Sequence, residues 1–212
     1  MIYAKLALYV SIGMAAMLIP ILIQSRWQNM KNSKGFVVAL SGTVAGTIGT
    51  MILYWIENHR FGGTSFYGAV FAVPVIMLIV SRRLQEPYER IMDLCAPAAS
   101  TMLCVMKVQC FLGGCCKGRF LSDEIRFPSQ LAEFVNGLVI MLVLLAMAKK
   151  KPGHGDLYPL YLVIYGCSRF VLNLLRETKG TFLLGMPAGN FWSVIAVAWG
   201  VFWLYRIRKN KQ

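Results

Sequence analysis

The chain has 212 residues, of which 57% are hydrophobic and 15% charged, whereas soluble domains carry about 25% charged residues, so an ordinary water-facing domain is excluded. The formal net charge of +13 points to nucleic acid only superficially, because no basic face interleaved with aromatics exists outside the apolar runs, and no nucleic-acid partner is expected. The six cysteines do not make the dense disulfide framework of a small secreted domain.

Apolar segments follow one another at Ile2–Ile23, Phe36–Ile56, Phe66–Val80, Ile91–Leu112, Leu131–Ala148, Leu157–Leu174 and Phe191–Tyr205. A bilayer crossing takes about 20 mostly apolar residues. The first segment is too long for a signal-peptide core and lacks a small-residue cleavage site, so it reads as a retained span. The third and seventh are short but flanked by Tyr, Trp and Arg of the kind that anchor at the interface. The fourth is the least regular, since it holds Asp93, Lys107 and Gln109. The expected fold is an all-α integral membrane protein, one polytopic domain over 1–212 with seven transmembrane helices.

Seven crossings put the termini on opposite sides. The first, third and fifth loops and the C-terminal tail then share a side and carry thirteen Lys and Arg, Lys211 among them. The other side carries seven, including Lys179, and Lys107 and Arg169 lie within segments. Positive charge accumulates on the cytoplasmic side, so the N-terminus is expected outside and the tail inside.

Lys107 and Arg169 are unusual because a cation at bilayer depth costs about 3 kcal/mol or more and normally faces protein, water or an anion. Lys107 lies about one turn from its segment end and is within snorkelling reach of the interface. Arg169 lies mid-segment, and Arg176, seven residues on, falls on the same helical face, a pair suited to hold a phosphate. The glycine-rich stretches FGGTSFYG and CFLGGCCKG match neither a P-loop nor a dinucleotide site. In the seven-span topology they join FPSQLAE and the Arg176 end on the outer half, so that Tyr67, Lys107, Gln130, Glu133, Arg169 and Arg176 are expected around one cavity.

Cys110, Cys115 and Cys116 are close in sequence, but zinc sites usually show paired C-x₂₋₄-C units with four ligands, and no C-x-x-C occurs. They read as structural thiols with no metal, and a redox role stays open.

From about Phe61 to Gly189 the order of motifs resembles the bacterial prolipoprotein diacylglyceryl transferases. The family's glycine-rich turn, its G-R-x-G-x-F-x-N-G-x-x-x-G signature, its P-[ST]-Q-L-x-E segment, its R-F-x-x-E-x-x-R helix and a late Gly-Gln correspond to GGTSFYGAVF, MKVQCFLGGCCKG, FPSQLAEF, SRFVLNLLRE and AGN. Gly114, Gly118, Gln130, Glu133, Arg169 and Arg176 are retained. The family's histidine falls on Tyr67, its signature arginine on Lys107, an asparagine on Cys110, and the glutamate between the arginines on Asn173. The loop from Gly113 to Gln130 leaves little room for an extracytoplasmic head domain.

The resemblance implies a multi-pass protein of the bacterial cell membrane that moves the diacylglyceryl group of phosphatidylglycerol onto the lipobox cysteine of a lipoprotein precursor, releasing glycerol phosphate. Its catalytic groups would be Tyr67, Lys107 and Arg169. Gly114, Gly118, Gln130, Glu133, Asn173, Arg176 and Asn190 would bind substrate, and no cofactor is called for. The partners are phosphatidylglycerol, the precursor peptide and the bilayer. Two other readings stay open: a lapsed relative that binds the lipid or lipopeptide as an accessory protein, and a membrane thiol oxidoreductase.

Overall fold

The structure, a computed structural model, describes residues 2–122, 124–177 and 180–210. Lys179 and Lys211, counted in the charge balance, lie outside them. Seven helices follow in order: α1 (Ile2–Trp27), α2 (Asn32–Asn58), α3 (Phe66–Leu84), α4 (Tyr88–Leu112), α5 (Ser129–Lys150), α6 (Leu157–Leu174) and α7 (Ala188–Asn210). All seven are long and apolar enough to cross a membrane, and among the described residues there is no β-strand, only isolated bridges. The expected all-α, seven-span architecture is the observed one.

Six of the helices run past the apolar segments into their polar flanks. A helix keeps its backbone hydrogen bonds inside itself, so it gains by continuing through the interface until water can satisfy its ends. α6 alone starts and stops with its apolar run.

α4 is the hub, touching α1, α2, α3, α5 and α6. Of its most apolar stretch 72% is buried, against 28% for α5 and 22% for α7, which turn most of their surface outward. Exposed Leu, Ile, Val and Phe line the outer faces of α2, α3 and α5, where lipid would cover them. α2 and α3 cross at Gly49 and Gly68 so closely that a Cβ on Gly68 would stand 2.0 Å from the Gly49 carbonyl oxygen. Small residues at such a crossing let the two backbones meet.

α6 places Tyr158, Tyr161, Tyr165 and Arg169 on one buried stripe at helical spacing. The tyrosines stack on one another and reach Phe66 and Tyr67 of α3 and Trp203 of α7. Pro74 has no N–H, which leaves the carbonyl of Val70 without its helical partner. The Tyr158 hydroxyl donates to that carbonyl at 2.7 Å. At the other end of the same stripe sits Arg169, so it points into the bundle and not into lipid.

Candidate functional site

Lys107 lies in the last turns of α4, Glu133 in the second turn of α5 and Arg169 in the last turns of α6, and the three helices bring these ends together. Glu133 Oε2 is 2.5 Å from Lys107 Nζ and also contacts Arg169 Nη1. Ser129 Oγ donates to the other carboxylate oxygen at 3.4 Å. All three charged side chains are buried, Glu133 to 2% exposure. A lone buried charge costs several kcal/mol, and removing one member of a buried pair is strongly destabilising. One carboxylate shared by two cations holds both in place and leaves the cluster with a net positive charge. That excess is an invitation to an anion.

The loop after α4 is folded onto the cluster by local rules. Gly114 sits at φ +64 and Cys116 at φ +60, left-handed conformations that reverse the chain at once. Gln130 Nε2 donates to the Cys115 carbonyl at 2.6 Å. Gly118 must be glycine, because a Cβ there would lie 2.1 Å from the Phe127 carbonyl oxygen. The loop pairs with the chain leaving α6: Arg119 N–H donates to Leu175 O at 3.0 Å and Glu177 N–H to Lys117 O at 3.1 Å.

This pairing fixes Arg176, whose Nη2 donates to Cys116 Sγ at 3.0 Å. The Cys116 thiol is pushed down to about 5 by its hydrogen bond with Cys110 and by the charges of Arg176 and Lys107, against the effect of burial. The Cys116 sulfur therefore lies in a positive environment, with Arg176 donating to it.

The start of α7 carries the remaining groups. Asn173 Nδ2 donates to Asn190 Oδ1, and both are buried. The Tyr67 hydroxyl lies 2.7 Å from Ser193 Oγ. Ser193 gives its own proton to the Gly189 carbonyl at 2.6 Å, so the phenol is the donor in that bond.

The sequence expectation of one site is met unevenly. Lys107, Glu133 and Arg169 form a single cluster. Arg176 adjoins it through Cys116, but α6 ends at Leu174, so the two arginines are not a fork on one helix. Gly114, Gly118 and Gln130 shape the loop, while Tyr67, Asn173 and Asn190 lock α3, α6 and α7 together. A cavity of about 640 Å³ lies across α4, among α1, α2 and α3, lined by Met17, Gly42, Thr50, Val70, Met102 and Gln109 among others and by none of the charged cluster. Ser193, and Cys116 as the partner of Arg176, carry no signal in the sequence.

A profile of the prolipoprotein diacylglyceryl transferases matches residues 2–206. The chain belongs to the prolipoprotein diacylglyceryl transferase family. It is similar to a Paracidovorax citrulli (strain AAC00-1) protein named phosphatidylglycerol–prolipoprotein diacylglyceryl transferase, 28% identical over 203 residues, which cover 82% of this chain and 75% of that relative. Relatives of the same name from Polaromonas naphthalenivorans (strain CJ2) and Idiomarina loihiensis (strain ATCC BAA-735 / DSM 15497 / L2-TR) are 31% and 28% identical, covering 71% and 83% of this chain and 62% and 74% of themselves. Family membership and the seven apolar helices together make it a multi-pass membrane protein. Glu133 and Arg169, expected from the resemblance as retained family residues, and Lys107, expected in place of a family arginine, are the three corners of the ion cluster.

Proposed function

We propose that the chain transfers the diacylglyceryl group of phosphatidylglycerol to the lipobox cysteine of a lipoprotein precursor, in line with relatives named phosphatidylglycerol–prolipoprotein diacylglyceryl transferase. The observation that carries this reading is the Lys107–Glu133–Arg169 cluster, a buried charge excess on the inner face of three membrane helices. In the reaction the acceptor thiol gives up its proton to water and its sulfur bonds to the glyceryl carbon as the carbon–oxygen bond to phosphate breaks. The electron pair leaves on a phosphate oxygen of glycerol phosphate. Lys107 and Arg169, held by Glu133, stabilise that growing charge where water is scarce, and Arg176 supports it from the loop. Arg makes the bidentate contact to phosphate, whereas Lys107 acts as a point charge. Tyr67 acts here as a positioning donor through Ser193, because its proton is already engaged.

The charge asymmetry of the loops supports an N-terminus outside, which puts the cluster, the cysteine loop and Arg176 on the outer half of a bacterial cytoplasmic membrane. The test is transfer by the purified protein in phosphatidylglycerol liposomes to a lipobox peptide. Wild type should form the thioether peptide, and Arg169→Ala should lower the rate about 10²–10³-fold, the usual effect of losing a donor to a developing anion. Undiminished transfer by Arg169→Ala would sink the mechanism. A second reading, lipid binding without transfer, is favoured by the neutral Asn173–Asn190 pair standing where the family has a glutamate. Phosphatidylglycerol retained through purification with no transfer by wild type would select it.

A further inference from the structure

The cysteine loop contains more than the proposed reaction has used. The sulfurs of Cys110, Cys115 and Cys116 all lie within 4.8 Å of one another, and those of Cys110 and Cys116 are 3.6 Å apart. Zinc–thiolate bonds of about 2.3 Å in a tetrahedron put neighbouring sulfurs about 3.8 Å apart, so the trio needs only a small closure to share one ion. The chain is built to keep it so. Cys110 is fixed in the last turn of α4, and Cys115 N–H donates to the Cys110 carbonyl at 3.1 Å. The left-handed turns at Gly114 and Cys116 then swing the vicinal pair back over it.

The surroundings are those of a ligand set. Gln130 holds the Cys115 carbonyl, and Arg176 donates to Cys116 Sγ, the kind of outer support that orients metal-binding side chains. Three thiolates on a dication carry one net negative charge, and Lys107 and Arg176 lie within electrostatic reach of it. Soft sulfur donors select d¹⁰ ions such as zinc. Three protein ligands leave the fourth position of a tetrahedron free, the pattern of catalytic and not of structural zinc. Cys115 is exposed and Cys110 and Cys116 are half-buried, so a ligand from outside the chain can reach the trio.

We propose that Cys110, Cys115 and Cys116 bind one zinc ion whose open position takes the acceptor cysteine's thiol. This rests on the transferase reading for the identity of the acceptor, but not for the binding of metal. The acceptor thiol displaces water from zinc and releases its proton to solvent, since a thiol on a metal ion is deprotonated outright. The sulfur then forms its bond to the glyceryl carbon while the carbon–oxygen bond to phosphate breaks and glycerol phosphate leaves with the electron pair. The neutral thioether is a weaker ligand than a thiolate, so it departs and water returns. No side-chain base is needed, which fits a site where the Tyr67 proton is held by Ser193.

The test is metal content of the full chain purified in detergent without chelators, measured by elemental analysis after loading with zinc alone. About one zinc per chain is expected in wild type and in Cys167→Ser, and less than about a tenth of that in Cys110→Ser and Cys116→Ser. Cobalt loaded in place of zinc should give a thiolate charge-transfer band, which reports the site without any activity measurement. A lipobox peptide should shift the cobalt visible bands, and the same peptide with serine for its cysteine should not. Zinc unchanged in both cysteine variants, or wild type found metal-free with a Cys110–Cys116 disulfide by mass, would overturn the site. Cobalt bands indifferent to the peptide would overturn its role in holding the acceptor. Metal bound by a protein that transfers no lipid would leave the site standing and remove the transferase reading instead.

Discussion

Asp93 and Lys107 sit on the same helix, about 21 Å apart along its axis, and both are buried. Asp93 accepts from the backbone N–H groups of Gly155, at 2.7 Å, and Leu157, at 3.0 Å, where the loop before α6 enters the helix. Its carboxylate is matched by fixed dipoles at the positive start of α6, and the site is closed by backbone that cannot move away. Lys107 instead meets a movable carboxylate that already serves Arg169. The first arrangement pins a loop. The second keeps a cation in surplus. A buried charge in a membrane helix is therefore a fastener or a tool according to whether its partners use up the charge.

Removing Glu133 should break this contrast most severely. Glu133→Ala leaves Lys107 and Arg169 buried side by side without a counter-charge, and should cost about 3–5 kcal/mol of stability. Thermal unfolding in detergent should register it as the largest loss among single substitutions in the cluster. A variant as stable as wild type would mean the two cations reach water unaided. Asp93→Ala comes next. It strands two N–H groups at about 1–3 kcal/mol each, lowering stability, while the transfer rate per folded molecule stays within about threefold of wild type. A large fall in that rate, measured against the folded fraction, would show that the two ends of α4 are not separate in role.

Lys107→Arg should have a smaller effect. It preserves the charge and adds the planar donor fork, so transfer should hold or rise, with a change of less than about tenfold. Tyr67→Phe should do least. It removes one hydrogen bond to Ser193, worth about 1 kcal/mol, and should slow transfer by less than about tenfold. A loss of a hundredfold or more, shrinking as the pH falls, would show instead that the phenol takes the acceptor's proton.

The spans were legible because length and hydropathy alone fix them, and only their ends were misjudged, as at α7, which begins at Ala188 and not Phe191. The irregular fourth segment proved to be the hub because its polar residues meet partners on other helices, which hydropathy does not see. Lys107 and Arg169 are legible as cations out of place and Glu133 through its place in the FPSQLAE segment, whereas the Tyr158, Tyr161 and Tyr165 stripe that turns Arg169 inward shows only in the fold. That one carboxylate serves both cations was not legible, since the pairing joins three helices. Arg176 reads as a helical neighbour of Arg169 only if the helix is carried past the apolar run, which ends at Leu174, where α6 also ends. The chain is instead drawn off by its bridge to Gly118. That the Cys110, Cys115 and Cys116 sulfurs gather within 4.8 Å of one another is not legible in their spacing, because the turns at Gly114 and Cys116 bring them together.

The shared carboxylate also bears on how the protein enters the membrane. As α4 emerges, Lys107 has no partner in the chain already made, since Glu133 and Arg169 both follow it. A lone cation at depth disfavours release into lipid by about 3 kcal/mol, and α6 brings a second one. Glu133 arrives between them and relieves the first before the second appears. The order lysine, glutamate, arginine along the chain therefore sets the shared counter-charge on the helix between the two cations, so that each cation added to the bundle has its partner on an adjacent element.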